Sequence, residues 1–316
     1  MTLTLAVRDL DLVLDPTRRR LHVLRGIDLD LRPGETLGVI GESGSGKTMM
    51  GMSLLRLEPP GAHLTAATMQ LGNTDLLQAT PAALQSLRGR TIGMIFQDPV
   101  GAFNPAKRIA WHARAVLDRP TWHPAAKILL AEVDITDPDR VLAAYPHQLS
   151  GGMLQRVLIA LVLAANPRVV VADEPTTNLD NIVEKQILAL FRKLRGQNDT
   201  AFIFITHDMT VAATISDRIA VMYAGEIVEL APTPAIFASP LHPYTKALIA
   251  TARALESETT RLPELVGEPP ALSTPRTGCA FASRCSSRLP PCTEAPITMR
   301  VPTQAHQVRC ILYDHV

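Results

Sequence analysis

The chain has 316 residues, with 31 Lys plus Arg against 30 Asp plus Glu and a formal net charge of +1. That length allows one or two domains with a sizeable core, and so even a balance excludes a partner held mainly by charge, nucleic acid above all. Hydrophobic residues reach 47% and aromatics only 4%, so the core must be aliphatic; the longest apolar run, VLIALVLAA at 157–165, is too short to span a bilayer.

The opening MTLTLAVRDLDL has no basic flank, no apolar stretch and no small-residue cleavage site. No signal peptide is therefore expected, and the chain reads as cytoplasmic. The first strong feature is TLGVI at 36–40, a short β-branched run, followed at once by GESGSGKT at 41–48 and then by MMGMSLLRL with helical spacing. Strand, glycine-rich turn and helix are the setting that the G-x-x-x-x-G-K-[ST] pattern requires. In that pattern the backbone N–H groups of Gly41, Glu42, Ser43, Gly44, Ser45 and Gly46 converge on a β-phosphate, aided by the helix N-terminus behind them. Lys47 supplies a point charge to the β- and γ-oxygens, and the hydroxyl of Thr48 goes to Mg²⁺.

Further along, AKRIAWHARAVL and AAKILLAEVDI read as helices. Trp111, His112, Trp122 and His123 are tempting there as a metal cluster, but their spacing fits no common ligand pattern, and packing or contact with another subunit is favoured. In LSGGMLQR (149–156), Ser150, Gly151 and Gly152 open a helix expected to run to about Ala165 and to stop before Pro167. Its N-terminus is a second anion site, one more than a single chain needs. VVVADEPT (169–176) reads as a strand buried on both faces, which places Asp173 to reach magnesium through water and Glu174 beside it as general base. AFIFIT (201–206) ends at His207, where a strand's C-terminal end can offer a histidine to the γ-phosphate.

Beyond the hairpin-like RIAVMYAGEIVEL (218–230) the composition shifts, with twelve of the 25 prolines between 231 and 316. Turns and extended segments are expected there, with TKALIATARALES (245–257) as the one plausible helix. All four cysteines lie at the end: Cys279, Cys285, Cys292 and Cys310. In a reducing compartment they favour a metal over disulfides. Their C-x5-C-x6-C-x17-C spacing lacks the tight pairs usual for zinc, whereas an iron–sulfur cluster tolerates wider spacing. Zinc and free or disulfide thiols stay open as alternatives.

Taken together, GESGSGKT, Gln97 in IFQDP, LSGGMLQR, Asp173-Glu174, TNLD (177–180) and His207 stand in the order found in ATP-binding cassette transporter ATPases, and residues 1–235 resemble that family. The resemblance implies an α/β P-loop nucleotide-binding domain with a helical subdomain at about 104–148, followed by a proline- and cysteine-rich extension at 236–316. It implies ATP and Mg²⁺ as cofactors, Gln97 as a magnesium ligand and link to the membrane subunit, and Asp180 as a contact across a dimer. Ser150–Gly152 would face the γ-phosphate held by a second ATPase. One departure stands out: the aromatic residue that stacks on adenine in the family has no counterpart, since nothing aromatic precedes Phe96, and an arginine of 18–20 or His22 would take its place.

SPLHPYTKALI (239–249), QDPVGAFNP (97–105) and the cysteine pattern are similar to the oligopeptide/dipeptide/nickel importer branch. That likeness implies a homologous second ATPase, two transmembrane permease subunits, an extracytoplasmic binding protein, a peripheral place on the cytoplasmic membrane face, and a four-iron four-sulfur (4Fe-4S) cluster on the cysteines. Peptide cargo is expected, with nickel or a metal chelate as the alternative and a soluble non-transport cassette protein less favoured.

Overall fold

The computed structural model describes residues 3–15, 20–177, 179–195, 199–256, 266–303 and 305–314. The chain divides into two compact units, Met1–Ala79 with Phe204–Val316, and Thr80–Ile203.

The first unit opens with β1 (Leu5–Leu14), β2 (Leu21–Leu31), β3 (Thr36–Ile40), α1 (Lys47–Leu54), β4 (His63–Thr65), β5 (Thr68–Leu71) and β6 (Thr74–Asp75). Strands β2, β1, β5 and β6 form an antiparallel sheet in that order, with β4 also on β1. Alternation drives it. Leu5, Val7, Leu10 and Leu12 of β1 and Ile27, Leu29 and Leu31 of β2 turn inward and are buried, while the residues between them stay wetter. Three register shifts along the β1–β2 pair restore the inward phase where the alternation slips.

The second unit holds α2 (Pro81–Leu87), β7 (Ile92–Ile95), α3 (Ile109–Leu117), α4 (Trp122–Glu132), α5 (Pro138–Ala143), α6 (Gly151–Leu163), β8 (Val169–Asp173) and α7 (Asn181–Arg195). Strands β7 and β8 pair in parallel, Ile92 opposite Val169 and Ile95 opposite Ala172. Both are buried along their whole length, which is why they read as unbroken apolar runs. Helix α6 ends at Leu163, a little short of Ala165, with Asn166 at positive φ ahead of Pro167.

β9 (Ala201–Thr206) carries the chain back into the first unit, which continues with α8 (Met209–Ile215), β10 (Arg218–Tyr223), β11 (Glu226–Pro232), α9 (Thr233–Ala238), α10 (Pro243–Glu256), β12 (Arg300–Thr303) and β13 (His306–Val308). Here the strand order is β12-β13-β11-β10-β3. β10 runs parallel to β3, with Val221 opposite Ile40, and turns through Ala224 and Gly225 into antiparallel β11. The last two strands of the chain therefore extend the sheet that carries residues 41–48. Glu229 of β11 fixes this edge: fully buried, it accepts the backbone N–H groups of Leu241 and His242 at 2.8 Å each and meets His306 Nε2 at 2.7 Å. The helix expected at 245–257 is α10, and Ser257 lies outside the described residues. Among the described residues no helix is long and apolar enough to cross a membrane.

Candidate functional site

The glycine-rich segment leaves buried β3 and wraps back on itself before α1. Gly41 has φ 158°, and a Cβ there would stand 2.2 Å from the backbone oxygen of Met222, so strand β10 presses on the loop from behind. Gly44 has φ 77° and nothing within 4 Å of where its Cβ would be; with exposed Ser43 and Thr48 it forms the open face. Lys47 is buried and its Nζ donates to the carbonyls of Gly41 at 2.8 Å and Glu42 at 3.0 Å. Among the described residues the buried Ser45 hydroxyl has no hydrogen-bond partner, while the Ser45 carbonyl accepts from Gly225 N–H. A buried orphan hydroxyl beside an inward lysine and an open glycine face is a donor set that suits a phosphate chain. His207, at the end of β9 in this same unit, is exposed, and Asp208 next to it caps α8 by accepting from Thr210 and Val211 N–H.

In the second unit Asp173 ends β8 almost fully buried, and Glu174 follows at φ 44°, a left-handed conformation that a non-glycine residue holds only at a cost. Its Oε2 accepts from Gln97 Nε2 at 3.2 Å and from the Thr177 hydroxyl at 2.9 Å. Gln97 and Glu174, 77 positions apart, are thus brought together, and Thr177 is a partner that motif reading passed over. Ser150 is the N-cap of α6 and accepts from Met153 N–H at 3.3 Å. Gly151 is exposed, whereas a Cβ on Gly152 would fall 2.6 Å from Val183 Cγ1, so that glycine lets α6 approach α7. Asp180 accepts from Ile182 and Val183 N–H at 3.0 Å each and caps α7. Trp111 and His112 stack edge to face at 5.0 Å, as do Trp122 and His123 at 5.2 Å, and His123 faces Asp139.

Of the residues considered for adenine, Arg18 and Arg19 lie outside the described residues. Arg20 is exposed, and the His22 ring is paired with Asp11 while the His22 backbone N–H donates to the Leu272 carbonyl of the tail.

The four cysteines line one small cavity with His242 and Phe281 among its apolar walls, and none is in a disulfide. Cys279 N–H donates to Cys292 O at 2.8 Å. Burial raises the thiols of Cys285 and Cys310 and pushes Cys279 up to about 11, so these thiols are protonated until something displaces the proton. Among the described residues no group of three or more His, Cys, Asp or Glu stands at single-ion spacing. The cavity they line measures about 10 Å³. Four thiols are the donor type that a thiolate-ligated centre would need.

What sequence reading missed is the grip of the tail on the phosphate loop. Arg284 and Tyr244 both bond Glu42; the available signals were the position of Arg284 next to Cys285 and of Tyr244 inside SPLHPYT.

Comparison with known proteins agrees with this geometry. Residues 24–177 match the ABC transporter family, and residues 228–292 match the C-terminal region of oligopeptide/dipeptide transporters. The fold and the phosphate loop define an ABC-type ATPase, an enzyme that hydrolyses ATP. The chain is 37% identical to the dipeptide transport ATP-binding protein DppD of Bacillus subtilis (strain 168), across 99% of this chain and 96% of that protein. To the oligopeptide transport ATP-binding protein OppD of the same organism it is 41% identical, across 90% and 82%. Among solved structures, the dimeric ATP-binding cassette MJ0796 in its post-hydrolysis state with ADP and Pi superposes at a TM-score of 0.65, with 25% identity, over 72% of this chain and 98% of that one. This chain belongs to the ATP-binding subunits of the oligopeptide/dipeptide ABC transporter family.

Proposed function

We propose that the chain powers peptide uptake as a peripheral ATPase on the cytoplasmic side of a membrane importer, beneath two permease subunits fed by an extracytoplasmic binding protein. The observation that carries this is the likeness to DppD over nearly the whole of both chains, joined to the transporter-specific match at 228–292. The relatives named above are called dipeptide and oligopeptide proteins, and nothing in them favours nickel or a metal chelate as cargo.

ATP with Mg²⁺ brings the transferable phosphoryl group; the chain's own residues do the rest. Backbone N–H groups of 41–48 and the buried Lys47 hold the β- and γ-phosphates. Thr48, Gln97 and Asp173 are the side chains that would hold magnesium. Glu174 takes the proton of the attacking water as general base, its carboxylate set in place by Gln97 and Thr177. His207 contacts the γ-phosphate. Ser150, Gly151 and Gly152, at the N-terminus of α6, meet the nucleotide of a homologous partner ATPase, with Asp180 across the same interface. In this reading residues 1–235 are the ATPase and 236–316 an extension whose four cysteines hold an iron–sulfur cluster, supported by their grouping round one cavity.

The test is uptake by proteoliposomes carrying the cognate permeases, binding protein and both ATPases. Labelled dipeptide is expected to accumulate only with ATP, and a nickel complex is not. ATP-driven accumulation of the nickel complex without the dipeptide would reverse the cargo assignment.

A further inference from the structure

Glu42, the second residue of the phosphate loop, is held from outside the loop by the tail. Arg284 Nη1 donates to Glu42 Oε2 at 2.9 Å and Nη2 to Oε1 at 3.1 Å, a two-pronged pair, and the hydroxyl of Tyr244 accepts the Glu42 N–H at 2.9 Å. The Arg284 side chain is only 5% exposed; it also donates to the Tyr223 hydroxyl at 3.2 Å and lies over the rings of Tyr223 and Phe281. Those rings and Tyr244 pack together with centroids 4.6–5.4 Å apart, so the arginine stands on a rigid aromatic base.

Two consequences follow from ordinary electrostatics and from glycine's freedom. A loop with glycines at 41, 44 and 46 does not fix its own shape, and the Glu42 carbonyl is one of the two that hold Lys47. Whatever fixes Glu42 therefore fixes the lysine. An uncompensated carboxylate there would also repel the anion the loop is built to take, and the guanidinium cancels that charge.

We propose that Arg284 is a positioning residue for ATP: from the cysteine-bearing tail it braces the phosphate loop through Glu42 and neutralises it. This rests on reading 41–48 as the ATP-binding loop. The test is nucleotide affinity of the full chain, measured with a fluorescent ATP analogue, for the wild type, Arg284→Gln, Glu42→Gln and the double variant. Arg284→Gln should weaken binding about tenfold or more, the scale of a charge-assisted hydrogen bond. The double variant should recover to within about threefold of the wild type, because the stranded carboxylate is gone; a residue needed only for folding would show no such rescue. Affinity of Arg284→Gln within about twofold of the wild type, or a double variant no better than the single, would overturn the brace.

Hydrogen exchange on the wild type reads the same coupling without any substitution, since coupling between sites is reciprocal. Saturating ATP should slow exchange in 282–285 as well as in 41–48. Protection of 41–48 with 282–285 unchanged sinks the brace alone. Failure of ATP to protect 41–48 at all sinks the loop reading beneath it.

Discussion

At the scale of single residues, the phosphate loop depends on two glycines for different reasons. Gly41 has no room: its Cβ would meet Met222 O at 2.2 Å, and that oxygen is backbone of β10, which cannot swing aside as a flexible side chain would. Gly44 has room and lacks only an L-residue's preferred backbone. Gly41→Ala should therefore cost about 1–3 kcal/mol by overpacking in addition to backbone strain, and Gly44→Ala about 1 kcal/mol from strain alone. Thermal unfolding of the two variants checks this; equal midpoints would contradict the steric account. The motif spacing made both glycines legible as loop residues. It could not say which is pinned, because β10 arrives from more than 170 positions further on. The same limit hid Arg284, 242 positions from Glu42, since periodicity and motif spacing report only neighbours along the chain.

At the scale of elements, strands β3 and β9 and the helix after Ser150 were readable because buried parallel strands are continuous apolar runs and helix starts carry caps. The antiparallel sheet of β1, β2, β4, β5 and β6 was not read, although β1 alternates: pairing and register need partners that composition does not name. A metal on the four cysteines, favoured by their chemistry, would be one fastening for the tail. The structure adds other fastenings, among them Glu229 with His306 and the Tyr223–Tyr244–Phe281 base. A cluster on these cysteines would therefore complete a docked tail instead of folding a loose one. Protein purified without oxygen should carry about four iron and four sulfide per chain with visible absorbance, and removal of the iron should leave the phosphate loop able to bind ATP. Neither iron nor sulfide after careful anaerobic handling would remove the cluster. Loss of ATP binding together with iron would instead make the cluster a structural necessity.

At the scale of the whole molecule, one chain supplies both a phosphate loop and the capped N-terminus of α6, two anion-binding ends for one nucleotide. That surplus was already visible in LSGGMLQR; under the proposed function a partner ATPase would take the second end, so the chain by itself should turn over ATP slowly. Cargo is the least legible property, because nothing in an ATPase touches what the permeases carry. Whether ATP hydrolysis at Glu174 drives peptide uptake is decided by Glu174→Gln in the assembled transporter. The variant complex should still bind ATP and remain in the closed dimer, while turnover and ATP-driven dipeptide uptake fall by about a hundredfold or more, the share a general base supplies. Hydrolysis and uptake at the wild-type rate would contradict that role for Glu174.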